Sequence, residues 1–303
     1  MGDKDTKGII YKITRFCVND GPGIRTVVFL KGCPLRCAWC HNPESFNNFS
    51  ELSYAGELCS GCGECVDLCP KECHCMKDGK HEVIRENCTL CGLCANYCPN
   101  GSLEIIGHKA TAEAVLDEVK RDIPFYEPSG GGITLSGGEP LYQAEFSAAL
   151  LREARRAGLN TCVETSGFAP VEVIREIAQA TDLFLYDFKI SDPALHKKFT
   201  GQSNSVILQN LEELNSLKAN VVLRIPLIPE CNGNERHIEG IVAVSGLGCI
   251  SRIEIMPYHR LGEAKYNRLN INNNFTAETL SEKFIDEWLG LLQSKINKPV
   301  KRG

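Results

Sequence analysis

Excess positive charge, long apolar runs and a leader-type N-terminus are the features that this 303-residue sequence lacks. Its 33 Lys and Arg are outnumbered by 38 Asp and Glu, and the net charge of −5 argues against electrostatic binding of nucleic acid. No apolar run approaches the roughly eighteen residues that a membrane span needs. The first ten residues, MGDKDTKGII, contain no apolar signal-peptide core. We therefore expect a cytoplasmic protein with no nucleic-acid or membrane partner.

Cysteine, in contrast, is unusually abundant. The chain has 17 cysteines, and because disulfides are rare in the cytoplasm, metal binding or catalysis explains them better. Three regular groups hold most of them, at 33–40, 59–69 and 88–98. The others are expected to be small core residues or residues without a role: Cys17, Cys73, Cys75, Cys162, Cys231 and Cys249.

The first group lies in KGCPLRCAWCHNPE (31–44), directly after the apolar run TVVFL. Its three members, Cys33, Cys37 and Cys40, are one short of the four ligands of a tetrahedral zinc site. A disulfide between two of them would leave the third thiol over. Three thiolates suit a 4Fe–4S cluster that keeps one iron free for another ligand. The spacing therefore predicts a cluster with an open iron.

The other two groups are near-repeats. CSGCGECVDLCP begins at Cys59 and CTLCGLCANYCP at Cys88, and each reads C-x2-C-x2-C-x3-C-P. This is the bacterial ferredoxin pattern, in which the fourth cysteine of each run binds the other run's cluster. The two predicted ligand sets are Cys59, Cys62, Cys65 and Cys98, and Cys69, Cys88, Cys91 and Cys94. A pair of zinc knuckles is the alternative. Cys73, His74 and Cys75 fit no position of the pattern and form either an alternative ligand set or a loop of spare residues.

Outside this segment, short apolar strands alternate with amphipathic helices. Strand-like runs lie at 26–30, 132–137, 160–167, 182–189, 220–228 and 250–259. Helical patterns lie at 111–122, 143–157, 170–180, 204–218, 235–244 and 276–295. Near-continuous apolar strands with helical crossovers predict a parallel sheet covered by helices. Six units are too few for an eight-fold barrel, so an open or partial barrel is expected, with its functional residues at the carboxyl ends of the strands.

Several of these strand ends carry polar residues that together suit an α-amino acid. SGGEP (136–140) combines glycines, which let a ligand approach the backbone, with the carboxylate of Glu139, which could accept hydrogen bonds from an ammonium group. Lys189 and Arg224 suit a carboxylate, and His259 adds an adaptable donor or acceptor. Taken alone, SGGEP could be a turn, Arg224 could form a surface ion pair, and His259 could be a core histidine. Their shared placement favours a binding site.

At this point the motifs resemble the radical S-adenosylmethionine (SAM) superfamily, whose three-cysteine motif carries an aromatic residue, here Trp39, before its last cysteine. Within it the chain resembles the glycyl radical enzyme activating enzymes, through DGPGIRTVVFLKGCPLRCAWCHNPE, SGGEPL, the two cysteine runs, DLFLYDFK, RIPLIPECN and PYHRLGEAKY. The resemblance covers roughly residues 8 to 270. It implies an α/β fold: a partial (β/α)6 barrel formed by 1–50 and 102–303, with an inserted two-cluster ferredoxin-like domain at 51–101.

The resemblance also implies roles for individual residues. Cys33, Cys37 and Cys40 would hold the catalytic cluster, whose open iron would chelate the amine and carboxylate of SAM, and Lys189 would belong to the catalytic site. SAM would contact Trp39, Ser136, Gly137, Gly138, Glu139, Pro140, Asp187, Lys189, Arg224 and His259. Glu164 and Thr165 match a position where a relative, with Asp in place of Glu, binds a monovalent cation beside SAM. The loop that receives the partner would comprise Asp20, Gly21, Pro22, Gly23 and Arg25.

The implied activity is that of an oxidoreductase with three 4Fe–4S clusters. One reduced cluster would cleave SAM to methionine and a 5′-deoxyadenosyl radical, which would take a hydrogen atom from a backbone glycine of a partner glycyl radical enzyme. The two other clusters would relay electrons from flavodoxin or ferredoxin, or would serve docking, and a monomer is expected. One alternative is a radical SAM enzyme acting on a small molecule, which the loop at 20–25 disfavours. The other is a pure electron carrier, which leaves SGGEP and the three-cysteine motif unexplained.

The cysteine patterns predict the metal content. Anaerobically reconstituted protein should carry about twelve irons, the content of three cubane clusters. Elemental analysis of the purified protein checks this. Stoichiometric zinc, or only about four irons after full reconstitution, would contradict the assignment of three clusters.

Overall fold

One nine-stranded sheet runs through most of the chain in the computed structural model, which describes residues 2–303. The strands in chain order are β1 (Lys7–Cys17), β2 (Arg25–Leu30), β3 (Glu51–Tyr54), β4 (His74–Lys77), β5 (Lys80–Val83), β6 (Leu103–Ile106), β7 (His108–Thr111), β8 (Gly132–Gly137), β9 (Asn160–Thr165), β10 (Leu183–Asp187), β11 (Val221–Leu227), β12 (Ile250–Pro257) and β13 (Val300–Arg302). The large sheet has the order β13-β12-β11-β10-β9-β8-β2-β1-β7. From β2 to β13 all neighbours are parallel, whereas β1 is antiparallel to both β2 and β7.

Helices cross over between successive parallel strands. They are α1 (Glu64–Leu68), α2 (Leu93–Asn96), α3 (Ala112–Lys120), α4 (Ile123–Ser129), α5 (Ala144–Arg156), α6 (Val171–Ala178), α7 (Pro193–Thr200), α8 (Ser205–Ser216), α9 (Pro229–Asn232), α10 (Glu235–Ser245), α11 (Glu263–Arg268) and α12 (Glu282–Lys295). Side chains cap several of them; Asp192, for example, accepts hydrogen bonds from two backbone N–H groups of the first turn of α7. Across residues 2–303, every helix is too short or too polar to pass through a bilayer.

The sheet is open but strongly curved. Neighbouring strands lie about 4.8 Å apart, so the five steps from β2 to β12 would span about 24 Å in a flat sheet. The loops that follow these two strands nevertheless touch. The rings of His41, after β2, and His259, after β12, stack with centroids 4.0 Å apart, and His41 Nε2 lies 2.8 Å from the His259 carbonyl oxygen. The six strands β2 and β8 to β12 therefore form a partial barrel whose carboxyl ends face one another.

The expected strands and helices agree with the structure to within a few residues at most ends. The exception is the last helix, expected from 276 and observed from Glu282. Outside the cysteine-rich segment, the sequence analysis missed β1, β7, β13, α4, α7, α9 and α11. Most of β1 is only half-buried or exposed, so it lacks the continuous apolar run of the parallel strands.

The cysteine-rich segment forms a small unit of its own. Its two ends are joined by the antiparallel pair β3 and β6, and between them lie the hairpin β4–β5 and the short helices α1 and α2. Its apolar core consists of Leu52, Cys94 and Leu103 with partly buried neighbours. Because β6 completes the pair with β3, the unit extends to Ile106, a few residues past the expected boundary at 101.

A buried histidine of helix α10 contacts the barrel. His237 is 1% exposed and its ring stacks on Phe188 and contacts Trp288 of α12. Its Nδ1 accepts a hydrogen bond of 3.1 Å from the backbone N–H of Ser191, which places the proton of the neutral ring on Nε2. That nitrogen is buried without a partner. Burial accordingly lowers the pKa of His237 from 6.5 to about 4.

This histidine should make the fold acid-sensitive. Below pH 6.5 the unfolded chain binds a proton at this histidine, whereas the folded chain does not bind it until about pH 4. The free energy of unfolding therefore decreases as the pH is lowered from 6.5 to about 4. His237→Asn keeps an acceptor for the Ser191 N–H and cannot titrate there. When the pH is lowered from 7.5 to 5, the free energy of unfolding of this variant should decrease by about 2 kcal/mol less than that of the wild type. Urea unfolding at both pH values measures this, and His108→Asn, at an exposed position, is the control. An unchanged pH dependence in His237→Asn would contradict the assignment.

Candidate functional site

A cavity of about 380 Å³ opens at the carboxyl ends of β2 and β8 to β12. Fourteen of the residues expected at the catalytic cluster, at SAM or at the cation line it: Cys33, Cys37, Trp39, Cys40, Ser136, Gly137, Gly138, Glu139, Glu164, Thr165, Asp187, Lys189, Arg224 and His259. Pro140 is the exception. It is buried at the first position of the 3-10 helix Pro140–Gln143, where its carbonyl accepts a hydrogen bond from the Ser147 hydroxyl. Its expected contact with SAM stays a prediction.

The three-cysteine loop is held by its backbone. The N–H groups of Arg36 and Ala38 donate to the carbonyls of Thr200 and Phe199 at the end of α7, at 2.7 and 2.9 Å. Between the cysteines, Trp39 is buried between Phe199 and Phe275, with ring centroids 6.4 and 6.3 Å away. These contacts fix the loop so that its sulfurs face the cavity.

The three thiols lie in an environment that disfavours their ionisation without a metal. Burial raises the pKa of Cys33 and Cys37 and raises that of Cys40 to about 12, and negative charge on Cys37 adds to the effect on both of the others. Lys189 is the nearby cation. Burial opposes its charged form, but the Asp187 carboxylate 2.8 Å away and Cys37 outweigh this and raise its pKa. A bound metal centre would supply the positive charge that three thiolates need.

The spacing of the sulfurs does not suit a single zinc ion. A tetrahedral zinc with Zn–S bonds of about 2.3 Å requires sulfurs about 3.8 Å apart. Among residues 2–303, the His, Cys, Asp and Glu side chains form one group of three or more whose ligand atoms all lie within 4.8 Å of one another. That group consists of Cys65, His74 and His81. At least one pair of sulfurs in the three-cysteine loop is therefore more than 4.8 Å apart, as a larger cluster requires. The residues present therefore fit a 4Fe–4S cluster with three protein ligands.

Two glycines after β8 are required by the backbone around them. Gly137 has a φ of +109°, and a Cβ there would lie 2.5 Å from the backbone nitrogen of Leu30. A Cβ on Gly138 would lie 2.4 Å from the carbonyl oxygen of Gly32. The loop after β8 can therefore pack against the loop after β2 only without side chains at these two positions.

The carboxylate of Glu139 does not serve the expected role. Its side chain is 1% exposed and accepts hydrogen bonds from the Thr165 hydroxyl at 2.6 Å, the Ser166 N–H at 2.9 Å, the Ser166 hydroxyl at 2.5 Å and the Leu141 N–H at 3.2 Å. These bonds occupy about all the acceptor capacity of a carboxylate. Glu139 is thus not free to receive an ammonium group, and it holds the loop after β9 against the loop after β8.

A network of opposite charges forms the cavity wall at β9, β10 and β11. Arg224 is 3% exposed and pairs with Glu164 at 2.9 Å and Glu254 at 3.2 Å, and it donates to the Asn19 carbonyl at 2.5 Å. The other oxygen of Glu164 accepts from the Ser136 hydroxyl at 2.5 Å. Because the guanidinium already places positive charge beside Glu164, the monovalent cation at Glu164 and Thr165 stays a prediction.

The loop expected to receive a partner borders the cavity through Asn19. Pro22 is exposed, and Asp20, Gly21 and Gly23 are partly exposed. Arg25 differs: it is fully buried, and its guanidinium donates to Thr134 Oγ1 and to the carbonyls or side chains of Pro22, Ile133 and Asn160. Its expected contact with a partner is therefore wrong. Arg25 instead anchors the loop to β8 and β9.

The eight cysteines of the two runs gather around two separate small cavities. Cys59, Cys62, Cys65 and Cys98 line one of them, together with His81. Cys69, Cys88, Cys91 and Cys94 line the other, together with Cys73 and His74. The fourth cysteine of each run thus lies with the first three of the other run, which is the grouping that the spacing predicted. Their role as cluster ligands stays a prediction.

Sequence reasoning missed several cavity residues, among them Asn19, His41, Tyr258 and Gly303. His41 directly follows Cys40, and Asn19 directly precedes DGPGIR, so adjacency to a motif was a usable signal for both. Gly303 reaches the cavity because β13 pairs with β12 and its N–H donates to the Ile255 carbonyl. No sequence signal marks that pairing.

Known proteins are similar to this chain throughout its length. Residues 88–239 match the model of the radical SAM superfamily. The (2S)-3-sulfopropanediol dehydratase activating enzyme of Klebsiella oxytoca is 38% identical, over 96% of this chain and 94% of that protein. The choline trimethylamine-lyase activating enzyme of Oleidesulfovibrio alaskensis is 41% identical, over 88% of each. A radical SAM methyltransferase from Sphaerobacter thermophilus, 13% identical, shares the fold with a TM-score of 0.54 over 97% of this chain and 76% of that one.

Substitution of Gly138 should disrupt the cavity while the rest of the barrel folds. In Gly138→Ala the new methyl group meets the Gly32 carbonyl, so the loops after β2 and β8 must separate. Equilibrium dialysis with SAM should show affinity reduced at least about tenfold, a cost of about 1.4 kcal/mol. Gly290→Ala on α12, where a Cβ has nothing within 4 Å, is the matched control and should bind normally. Normal binding by Gly138→Ala would show that the close approach of the two loops is dispensable.

Proposed function

The chain belongs to the glycyl radical enzyme activating enzymes of the radical SAM superfamily, and we propose that its strand-end cavity binds SAM against a 4Fe–4S cluster held by Cys33, Cys37 and Cys40. Enzymes of this family generate a 5′-deoxyadenosyl radical and activate a partner glycyl radical enzyme. The single observation that carries the proposal is the composition of the cavity. Among residues 2–303, its lining contains three cysteines and, facing them, the two cations Lys189 and Arg224, which have hydrogen-bond donors that no protein group uses.

Those spare donors follow from a count of hydrogen bonds. Lys189 has three N–H donors and spends one on Asp187. Arg224 has five, and spends three on Glu254, Glu164 and the Asn19 carbonyl. Two donors remain on each side chain. We assign them to the carboxylate and ribose hydroxyls of SAM, with His259 as a further polar contact.

The methionine amine requires acceptors, and Glu139 is not available. The backbone carbonyls of the loop after β8 replace it in this proposal, because Gly137 and Gly138 both line the cavity. Trp39 closes the cavity on the side of the aromatic cluster, where the adenine is placed. Held by Cys33, Cys37 and Cys40, the cluster would supply the electron for the cleavage of SAM that leads to activation of the partner's glycine. The protein residues orient SAM and exclude water from the reacting centre.

The partner's glycine loop is proposed to enter beside Asn19, Asp20, Gly21, Pro22 and Gly23. This loop borders the cavity and is held by Arg25 from beneath. The identity of the partner is decided by activation assays with candidate glycyl radical enzymes, since relatives of almost equal similarity activate chemically different lyases, dehydratases and synthases.

The small unit is proposed to hold two further 4Fe–4S clusters, in the two cavities lined by four cysteines each. They would relay electrons from flavodoxin or ferredoxin to the catalytic cluster in a monomeric enzyme. The seventeen cysteines, all free in the structure, suit the reducing cytoplasm.

Two sets of variants test these assignments in one assay, the formation of 5′-deoxyadenosine from SAM. Cys37→Ala removes a ligand that no neighbouring group can replace, so cleavage should be abolished with dithionite and with reduced flavodoxin alike. The double variant Cys62→Ala, Cys91→Ala removes the relay only. It should keep a substantial part of its activity with dithionite, which reaches the catalytic cluster directly, and lose most of its activity with flavodoxin.

Iron analysis and circular dichroism of each variant confirm that the remaining clusters and the fold are intact. Wild-type cleavage by Cys37→Ala would overturn the assignment of the catalytic cluster. Equal losses with both reductants, in a folded double variant that keeps about four irons, would overturn the relay and favour docking.

A further inference from the structure

The hairpin β4–β5 places two histidines between the two cysteine groups of the small unit. Its tight turn is Asp78–Gly79, both residues with positive φ, as a two-residue hairpin turn requires. Met76 pairs with His81 across the hairpin, and His74, two residues earlier, projects from the same face. His81 lines the cavity of Cys59, Cys62, Cys65 and Cys98, whereas His74 lines the cavity of Cys69, Cys88, Cys91 and Cys94.

The two rings are in contact with each other and with one sulfur. His81 Nε2 lies 3.3 Å from Cys65 Sγ and 3.0 Å from His74 Nδ1. The His74 and His81 rings are stacked with centroids 5.0 Å apart, and Tyr54 packs edge-on against His81 at 4.6 Å. Both histidines are buried, at 4% and 7% exposure, so the arrangement is fixed by packing.

The chemistry of the sulfur determines which ring nitrogen carries hydrogen. An iron-bound Cys65 is a thiolate and can only accept, so a favourable contact needs a proton on His81 Nε2. His74 Nδ1, on the other side, then also acts as an acceptor. The remaining nitrogen, His81 Nδ1, is buried without a partner. Without a hydrogen, this nitrogen is only an acceptor, and a buried acceptor without a partner is less unfavourable than a buried N–H without one.

We propose that His81 donates a hydrogen bond to the Cys65 thiolate and thereby raises the reduction potential of the cluster held by Cys59, Cys62, Cys65 and Cys98, with His74 as the positioning residue that fixes the His81 ring. The inference rests on the proposed function, which places a cluster there. Reduction adds negative charge to the cluster and its sulfurs, so an N–H donor stabilises the reduced form more than the oxidised form.

The two proposed clusters receive different numbers of donors. Cys98, in the first group, also faces the Ser102 N–H at 3.3 Å and the Ser102 hydroxyl at 3.1 Å. In the second group, Cys69 accepts from the Cys73 N–H at 3.3 Å and also faces the Cys73 thiol, which is a weaker donor than an imidazole N–H. The first cluster thus has an additional ring donor and a hydroxyl that the second lacks. The two clusters should accordingly differ in potential, with the first one higher.

The test is an EPR-monitored redox titration of the full-length, anaerobically reconstituted protein, with the catalytic cluster as internal reference. His81→Phe keeps an aromatic ring of similar size but has no N–H. In this variant the potential of one insert cluster should fall, with reduction disfavoured about tenfold at a given potential, which is about 59 mV for one electron. In His81→Gln the side-chain amide reaches the position of Nε2 and should restore most of the shift. Cys75→Ser, on the opposite face of the hairpin, is the matched control and should leave all potentials unchanged.

The outcomes separate the inference from the proposed function. Unchanged potentials in His81→Phe at full iron content would overturn the inference, and so would an equal shift in the Phe and Gln variants. Loss of about four irons in both variants would also overturn it, because it would make His81 necessary for holding the cluster. Wild-type protein with stoichiometric zinc on Cys65, His74 and His81, or without insert clusters, would instead contradict the proposed function.

Discussion

Burial of three cysteine sulfurs at the end of β2 is the constraint on which the site depends. Thiolates in such surroundings need positive charge, and the two cations that line the cavity, Lys189 and Arg224, are already paired with carboxylates. The balance of charge is therefore completed by what binds in the cavity. The same logic explains the rest of the wall, where Arg224 offsets Glu164 and Glu254. Lys189 and Arg224 thus each have a carboxylate partner, and the donors left over on them point to a charged, polar ligand.

Curvature of the sheet brings the carboxyl ends of the six strands β2 and β8 to β12 around one cavity. In a flat sheet, the loops after β2 and β12 would be too far apart to bind the same small molecule. The stacked rings of His41 and His259 mark where they meet. Packing of the loop after β8 beneath the loop after β2 depends on Gly137 and Gly138, and the loop after β9 is held by Glu139. Residues that look like ligand contacts in the sequence thus serve to position the walls.

The sequence predicts the strand ends well because the signals there are local. Apolar runs give the strands, and fixed cysteine spacing gives the ligand groups. Burial of Arg25 and Glu139 could not be predicted, since their partners Asn160 and Ser166 come from a different strand and its loop. The histidine pair of the small unit was overlooked for another reason. The Asp78–Gly79 turn is a readable hairpin signal, and once the hairpin is placed, its two-residue periodicity puts His74 and His81 on one face.

A single buried lysine joins the catalytic loop to the cysteine-rich unit. Lys31, directly after β2, is fully buried, and its Nζ donates to the Glu44 carbonyl and to the Glu51 carboxylate, both at 2.8 Å. Glu44 follows the three-cysteine loop and Glu51 begins β3. An ammonium group with no access to water must keep both partners, because losing either would leave a buried charge under-compensated. The two parts of the chain are thereby held together at a fixed distance, which the proposed electron transfer between clusters in these two parts would require.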